Sequence, residues 1–386
     1  MKRGWEVLHG ASILMDRGKI MTVGKIRTLP KKVRVMDATG CTVLPGFVDS
    51  HTHLVFTGSR EDEFAMRVQG ARYQDIADAG GGIQRSVRTT ARSSEDDLYR
   101  IGLDRLARVA KHGTTTIEIK SGYGLSLKQE IKILQAIKRL AANSDLDVIP
   151  TYLVHTIPPK TTRRAFIREV INEVIPAVVQ KKLAVFCDVF CDTLAFTVQE
   201  TESILHAAQR HGLCLKLHAD QFENTGGADL AARMQCVSVD HLEYTPARTI
   251  PSLKKAGVVP TVLPGVTLYL KMKKIPPLKA FKRYDLPCAI ASDFNPGSCA
   301  IYAMPKIVSL ACLLYGMSVE DALAGATIHG ARALGMTDMI GSIEPGKQAD
   351  IVVCSVDNYR KIPYYFGEDI VKFTIKKGSV IYGKNR

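Results

Sequence analysis

The sequence predicts an α/β protein: a (β/α)8, TIM-like barrel with a small β-sandwich domain formed from both chain termini. Three observations predict it. Eight short apolar runs recur through the middle of the 386 residues, each continuous rather than alternating, as parallel strands covered on both faces require. Amphipathic helical stretches separate them, the pattern of successive βα units. The two ends differ, holding short β-like segments broken by Gly turns. A barrel with its helices takes roughly 250 residues or more, which leaves room for one small extra domain.

In chain order, residues 1–42 form the first part of the small domain, with β segments expected in 18–26 and 32–40. The barrel and its C-terminal helices span 43–341. Its strands are expected at 43–48, 114–119, 148–154, 184–190, 213–217, 236–240, 258–263 and 288–292. Ser93 and Ser94 precede acidic residues and an amphipathic run that stops at Gly113. Ser126 with Gln129, and Thr197 with Glu200, fit the capping-box spacing, in which the cap hydroxyl and the side chain three residues on satisfy free N–H groups. Gly212 and Gly257 close helices whose last turns are basic. One helix over 318–334 leads out of the barrel. Residues 342–386 return to the small domain, with β segments in 349–356 and 373–383.

Composition narrows the class. The 46% hydrophobic and 23% charged content is that of a soluble globular chain. No run of about 18 apolar residues is present, and the N-terminal stretch lacks the apolar core and cleavage site of a signal peptide. A cytoplasmic protein with no membrane partner is expected. Nine cysteines, an odd number without a C-x-x-C pair, fit reduced thiols, and Cys214, Cys236 and Cys288 are expected to pack as small hydrophobes within strands. The net charge of +14 is spread along the chain, with short clusters such as Lys271, Lys273 and Lys274 and no nucleic-acid-binding motif. No nucleic-acid partner is expected, and a small anionic substrate suits the charge better.

The chemistry gathers at the strand ends. Pro45-Gly-Phe-Val-Asp-Ser-His-Thr-His53 places two histidines one residue apart just past the first strand, so both side chains leave the same side of an extended backbone. That geometry suits two imidazoles on one divalent metal. His155 follows the third strand, His218 the fifth, His241 the sixth and Asp293 the eighth. The C-terminal strand ends of a barrel converge on one mouth, so residues far apart in sequence meet there. Taken singly, each histidine is as well explained by a buried hydrogen bond as by a ligand role. Five of the ten histidines at strand ends, together with Asp293, are not. Such nitrogen and oxygen donors suit Zn²⁺ or Fe²⁺. His112 and His211 fall at helix C-termini, where a partial negative charge favours them, and His9, His206 and His329 read as structural or surface.

These residues resemble the amidohydrolase superfamily over nearly the whole chain, including Gly341-Ser-Ile-Glu-Pro-Gly-Lys-Gln-Ala-Asp-Ile-Val-Val353, where that family returns to its small β-domain. The resemblance implies that His51, His53, His218 and Asp293 hold the metal. It also implies that His241 contacts the attacking water, with His241 and Asp293 as the catalytic proton carriers. Members with two metals bridge them by a carboxylated lysine at the end of the fourth strand. Here that strand ends Phe-Cys-Asp-Val-Phe-Cys191, so one Zn or Fe per chain is expected. Lys120, at the end of the second strand, is structural or substrate-proximal on this reading.

Five stretches, Phe56–Phe64, Ala79–Ile83, Ile119–Leu125, His155–Pro159 and His218–Phe222, resemble one branch of the superfamily, which opens the imidazolone ring of a substrate with a propanoate tail. By that resemblance Arg60 clamps the tail carboxylate as a planar two-pronged donor. Tyr123 and His155 hold the substrate, and Asn295, Gly297 and Ser298 line the product side. Gln221 is read as substrate-binding; related deaminases carry Glu there, and a glutamine cannot shuttle a proton. A solvated surface arginine is the plain alternative for Arg60, and a packed loop aromatic for Tyr123. Rival functions are a guanine- or cytosine-type deaminase, a cyclic-imide hydrolase, and a non-catalytic relative that keeps the barrel for binding. Family members carry a longer N-terminal β segment, so a minimal or incomplete one is expected here. A homodimer is the expected assembly.

Overall fold

The computed structural model describes residues 6–28, 30, 32–71, 75 and 81–383; Ala79 and Gly80 of the Ala79–Ile83 stretch lie outside the described residues. Strands β1 (Ser12–Asp16), β2 (Lys19–Gly24) and β3 (Thr42–Pro45) precede the barrel. The barrel strands are β4 (Phe47–Asp49), β5 (Thr114–Lys120), β6 (Asp147–Val154), β7 (Phe186–Cys191), β8 (Cys214–Ala219), β9 (Ser238–His241), β10 (Val259–Val262) and β11 (Ala289–Ile290). They neighbour one another in sequence order, all parallel, and are almost wholly buried, which is why their sequences read as unbroken apolar runs.

The seam between β11 and β4 closes just beyond both strands. Asp293 N donates to His51 O and His53 N to Phe294 O, each at 3.0 Å. Asp49 accepts from Ser292 N at 2.9 Å and from its Oγ at 2.6 Å. The residues of the H-x-H motif and Asp293 are therefore the residues that close the ring.

The expected strand 43–48 is two strands in two sheets. β3 pairs antiparallel with β12 (Ile351–Cys354), while β4 enters the barrel. Gly46 makes the transition: a Cβ there would overlap the Thr115 side chain. β12 continues to β13 (Val371–Lys376) and β14 (Ser379–Tyr382). The β1–β2 hairpin joins the same small core, where Ile13 and Met15 pack against Ile351, Val353, Phe373 and Ile375. Segment 32–40 forms no strand: Asp37 Oδ1 accepts from Thr39 N in a local turn, although Met36 and Ala38 still reach that core.

Two of the three expected N-caps form. Ser94 and Asp97 make a reciprocal capping box on Glu95–Lys111, and Thr197 and Glu200 make one on Val198–Arg210. Ser126 makes no such bond on Leu127–Asn143. There Leu127 N is taken by Glu169, and Glu130 turns back onto the preceding loop. The single helix expected over 318–334 is two, Val319–Gly325 and Ile328–Ala333. The carbonyl of Ala326 leaves the helical ladder to accept from Val48 N at 2.8 Å, and a Cβ on Gly330 would overlap Val48. Nine cysteines are unpaired; Cys236 and Cys288 are buried as expected but lie just ahead of β9 and β11 rather than within strands, and Cys214, at the entry to β8, is exposed. Among the described residues no helix is long and apolar enough to cross a membrane.

Candidate metal centre

His51 and His53 lie just past β4, His218 near the end of β8, His241 at the last residue of β9, and Asp293 three residues past β11. All are buried, at most 3% exposed. His51 Nε2 and His53 Nε2 each lie 3.2 Å from Asp293 Oδ1. The His51 and His218 ring centroids are 4.4 Å apart, and those of His218 and His241 5.3 Å. Ligand atoms of His51, His53 and Asp293 fall within 4.8 Å of one another, as do those of His51, His218 and His241. The presenting turns are tight: His241, Leu242 and Asp293 have φ of 80°, 74° and 50°. Left-handed backbone costs about 1–2 kcal/mol per residue outside glycine. Bonds from Leu242 N to Ala219 O and from Tyr244 N to Asp220 O hold the His241 turn in place.

A divalent cation fits this set. Among the described residues His51 Nε2, His218 Nε2 and Asp293 Oδ1 are buried without hydrogen-bond partners, a state that costs roughly 1–3 kcal/mol per group. The donors are nitrogen and oxygen, with no thiolate among them. Burial holds His53 below its ordinary value and His218 well below, so both rings are neutral and ready to ligate. Burial also opposes charge on His51, as does Lys120, but Asp240 and Asp293 outweigh both and raise it to about 9. The same carboxylates would favour a cation there. Burial opposes ionisation of Asp293 too, yet the facing imidazoles of His51 and His53 keep it well below the usual carboxylate range.

Carboxylates stand behind the ligands. Asp240 Oδ2 lies 2.6 Å from His51 Nδ1, and Asp188 Oδ2 3.0 Å from His218 Nδ1. The first is a hydrogen bond, and such pairing sets which ring nitrogen of His51 faces the centre. Lys120, fully buried, bridges Asp188 at 2.7 Å, Glu118 at 3.0 Å and Asp240 at 3.5 Å, and Lys216 meets Glu118 at 2.7 Å. Lys120 thus lies among the acids behind the ligands, and those acids, against the effect of burial, hold it above the ordinary lysine range.

Tyr123 and His155 border the cluster. His155 stacks on His53 with centroids 5.7 Å apart, and Tyr123 lies 6.0 Å from His53. The Gly122-Tyr123-Gly124 loop is held by Glu130, which accepts from Gly122 N at 3.0 Å, Gly124 N at 2.7 Å and Leu125 N at 2.9 Å. Arg60 precedes helix Glu61–Val68, its Nη2 2.5 Å from Glu63 Oε2. Its guanidinium lies against Gly297, where a Cβ would overlap it. Asn295 Nδ2 reaches Asp293 Oδ2 at 3.0 Å and Ser298 Oγ reaches it at 3.3 Å. Asn295 Oδ1 takes Gly297 N and Ser298 N, each at 2.8 Å. Both side chains therefore brace Asp293. Gln221 is buried at the end of the His218 turn, with its N–H on Asp192 at 2.9 Å.

Sequence reasoning missed Asp240, Asp188, Glu118, Lys216 and Glu63. A signal was available for four of them, since charged residues in otherwise apolar strands point inward. Glu118 and Lys120, and Lys216 and His218, stand two apart on one strand face.

The amidohydrolase family model matches residues 42–381. The imidazolonepropionase of Symbiobacterium thermophilum is 42% identical, across 98% of this chain and 92% of that protein. That of Shewanella frigidimarina is 40% identical, across 97% of this chain and 93% of that protein. Among solved structures, 5-methylcytosine deaminase from Klebsiella pneumoniae superposes with a TM-score of 0.76 at 18% identity, over 97% of this chain and 95% of that one. Atrazine chlorohydrolase from Arthrobacter aurescens TC1, complexed with zinc, gives 0.75 at 17% identity, over 97% and 91%. At such identities the two structures speak for the shared fold.

Proposed function

The chain belongs to the amidohydrolase family, in its imidazolonepropionase branch, and we infer that it hydrolyses 4-imidazolone-5-propanoate to N-formimidoyl-L-glutamate, a step of histidine breakdown, in the cytoplasm. What carries the reading is the 42% identity to an imidazolonepropionase across 98% of the chain.

The residues proposed to hold the metal, Zn or Fe and one per chain, are His51, His53, His218 and Asp293. A bound ion of this kind lowers the pKa of a water and polarises a carbonyl. His241 accepts the proton of the attacking water; burial holds this imidazole down to about 4, so it is neutral and able to take one. Asp293 and His241 then return a proton to the ring nitrogen as the carbon–nitrogen bond breaks. Arg60 receives the tail carboxylate while Glu63 fixes its other edge, and Tyr123 and His155 flank the ring. Gln221, Asn295, Gly297 and Ser298 complete the lining.

His241→Ala tests this directly on imidazolonepropionate. The variant should keep its metal and lose about 10²–10⁴-fold in kcat. Loss of metal along with activity would make His241 a ligand, and a normal kcat would make it structural. Ammonia release from guanine or cytosine, with no turnover of imidazolonepropionate by the intact enzyme, would transfer the chain to the deaminases.

A further inference from the structure

Glu243 lies two residues past His241, in the turn after β9, and the reaction as derived above makes no use of it. It is buried, and among the described residues neither carboxylate oxygen has a hydrogen-bond partner. His241 Nδ1, also buried and unpartnered, lies 3.9 Å from Glu243 Oε2. His51 and His218 each have a carboxylate facing Nδ1, Asp240 at 2.6 Å and Asp188 at 3.0 Å. Glu243 is the acid placed to do the same for the third imidazole. The two left-handed residues His241 and Leu242 fold the chain sharply between them.

Resting on the reading of His241 as the proton carrier, we propose that Glu243 is its positioning residue. Its carboxylate accepts the Nδ1–H of His241, leaves Nε2 free to take the proton of the attacking water, and stabilises the imidazolium that results. The water's proton resides on Nε2 and passes to the ring nitrogen released when the carbon–nitrogen bond breaks; the Nδ1 proton stays between His241 and Glu243 throughout. The 3.9 Å separation exceeds hydrogen-bond reach, and catalytic contacts that are long in a free enzyme close in the working complex. The other titratable groups facing Glu243 are Asp293, Asp192 and Tyr315, none of them cationic. Those facing His241 are Asp293, His51, Asp240, His53 and His218.

The experiment compares metal-loaded wild-type enzyme with Glu243→Gln. The variant should lose about 10–100-fold in kcat, the range for removing the carboxylate behind a working histidine. KM and metal content should hold, and the acidic limb of the kcat–pH profile should move to lower pH, because the imidazolium has lost its anion. Glu243→Asp should recover part of the rate. In a His241→Ala background Glu243→Gln should cost nothing further. A wild-type rate and profile in Glu243→Gln, or an additive loss in that background, overturns the proposal and leaves His241 as proton carrier. A His241→Ala enzyme of normal kcat sinks the broader reading instead. Should Glu243→Gln not fold, the wild-type enzyme decides: the nitrogen-15 shift of His241 Nδ1 should be that of a protonated ring nitrogen, and an unprotonated Nδ1 overturns the proposal.

Discussion

Arg60 has its position set by two neighbours that contribute opposite things. Glu63, buried and also holding Gly82 N at 3.1 Å, fixes one edge of the guanidinium, while Gly297 supplies the space that any side chain would fill. If the free edge takes the substrate carboxylate, the bond is worth roughly 1.5–3 kcal/mol. At about 1.36 kcal/mol per factor of ten, Arg60→Met should lower kcat/KM about 10–150-fold, mostly through KM, with metal content unchanged. Lysine should rescue only part, lacking the paired planar donors. Gly297→Ala should move KM in the same direction by displacing the guanidinium. Steady-state kinetics with metal analysis check both, and a wild-type kcat/KM in Arg60→Met removes the clamp. The arginine was legible because its motif is distinctive. Glu63 was not: an acid in the first turn of a helix reads as ordinary dipole compensation, and nothing local says that it faces inward.

At the scale of elements, the sequence marks what local chemistry decides. The parallel strands show as continuous apolar runs, and the Thr197–Glu200 box caps its helix as its spacing requires. The division of 43–48 and the break at Ala326 were illegible because both arise from tertiary contacts, Gly46 against Thr115 and Ala326 O against Val48 N. The start of helix Leu127–Asn143 separates the two influences. Its Ser126–Gln129 capping-box spacing is present, but Ser126 makes no cap bond, and the next acid, Glu130, holds three N–H groups of the Tyr123 loop with its carboxylate. Bonds to a charged acceptor contribute roughly 1.5–3 kcal/mol. Glu130→Ala should therefore destabilise the protein by about 3 kcal/mol and raise KM as the loop loosens, while Ser126→Ala should stay within about 0.5 kcal/mol. Denaturant titration of the two variants checks this; equal losses would restore Ser126 as the cap.

The whole molecule depends on one seam. Barrel strands β5 to β10 each have two hydrogen-bonded neighbours within the ring, but among the described residues β4 and β11 are joined just beyond their ends by the backbone bonds of His51, His53, Asp293 and Phe294 and by the Asp49–Ser292 pair. The sequence displays both sides of that seam, as H-x-H after the first barrel strand and Asp293 after the last, because the residues that close the ring also carry the chemistry. A cation on His51, His53, His218 and Asp293 would tie β4, β8 and the β11 loop together, so its binding energy would add to barrel stability. An ion held at a thousand times its dissociation constant adds about 4 kcal/mol. For a chain of this size that is about 5 °C in Tm. Chelation should therefore abolish activity, lower Tm by that order, and speed hydrogen exchange first at the amides of His53 and Asp293, leaving β5 to β8 protected. Zn²⁺ or Fe²⁺ should restore all three at about one ion per chain. Melting and exchange that ignore the chelator would detach the metal from the seam, two tightly bound ions per chain would overturn the single-metal site, and full activity in metal-free protein would remove the metal from the mechanism altogether.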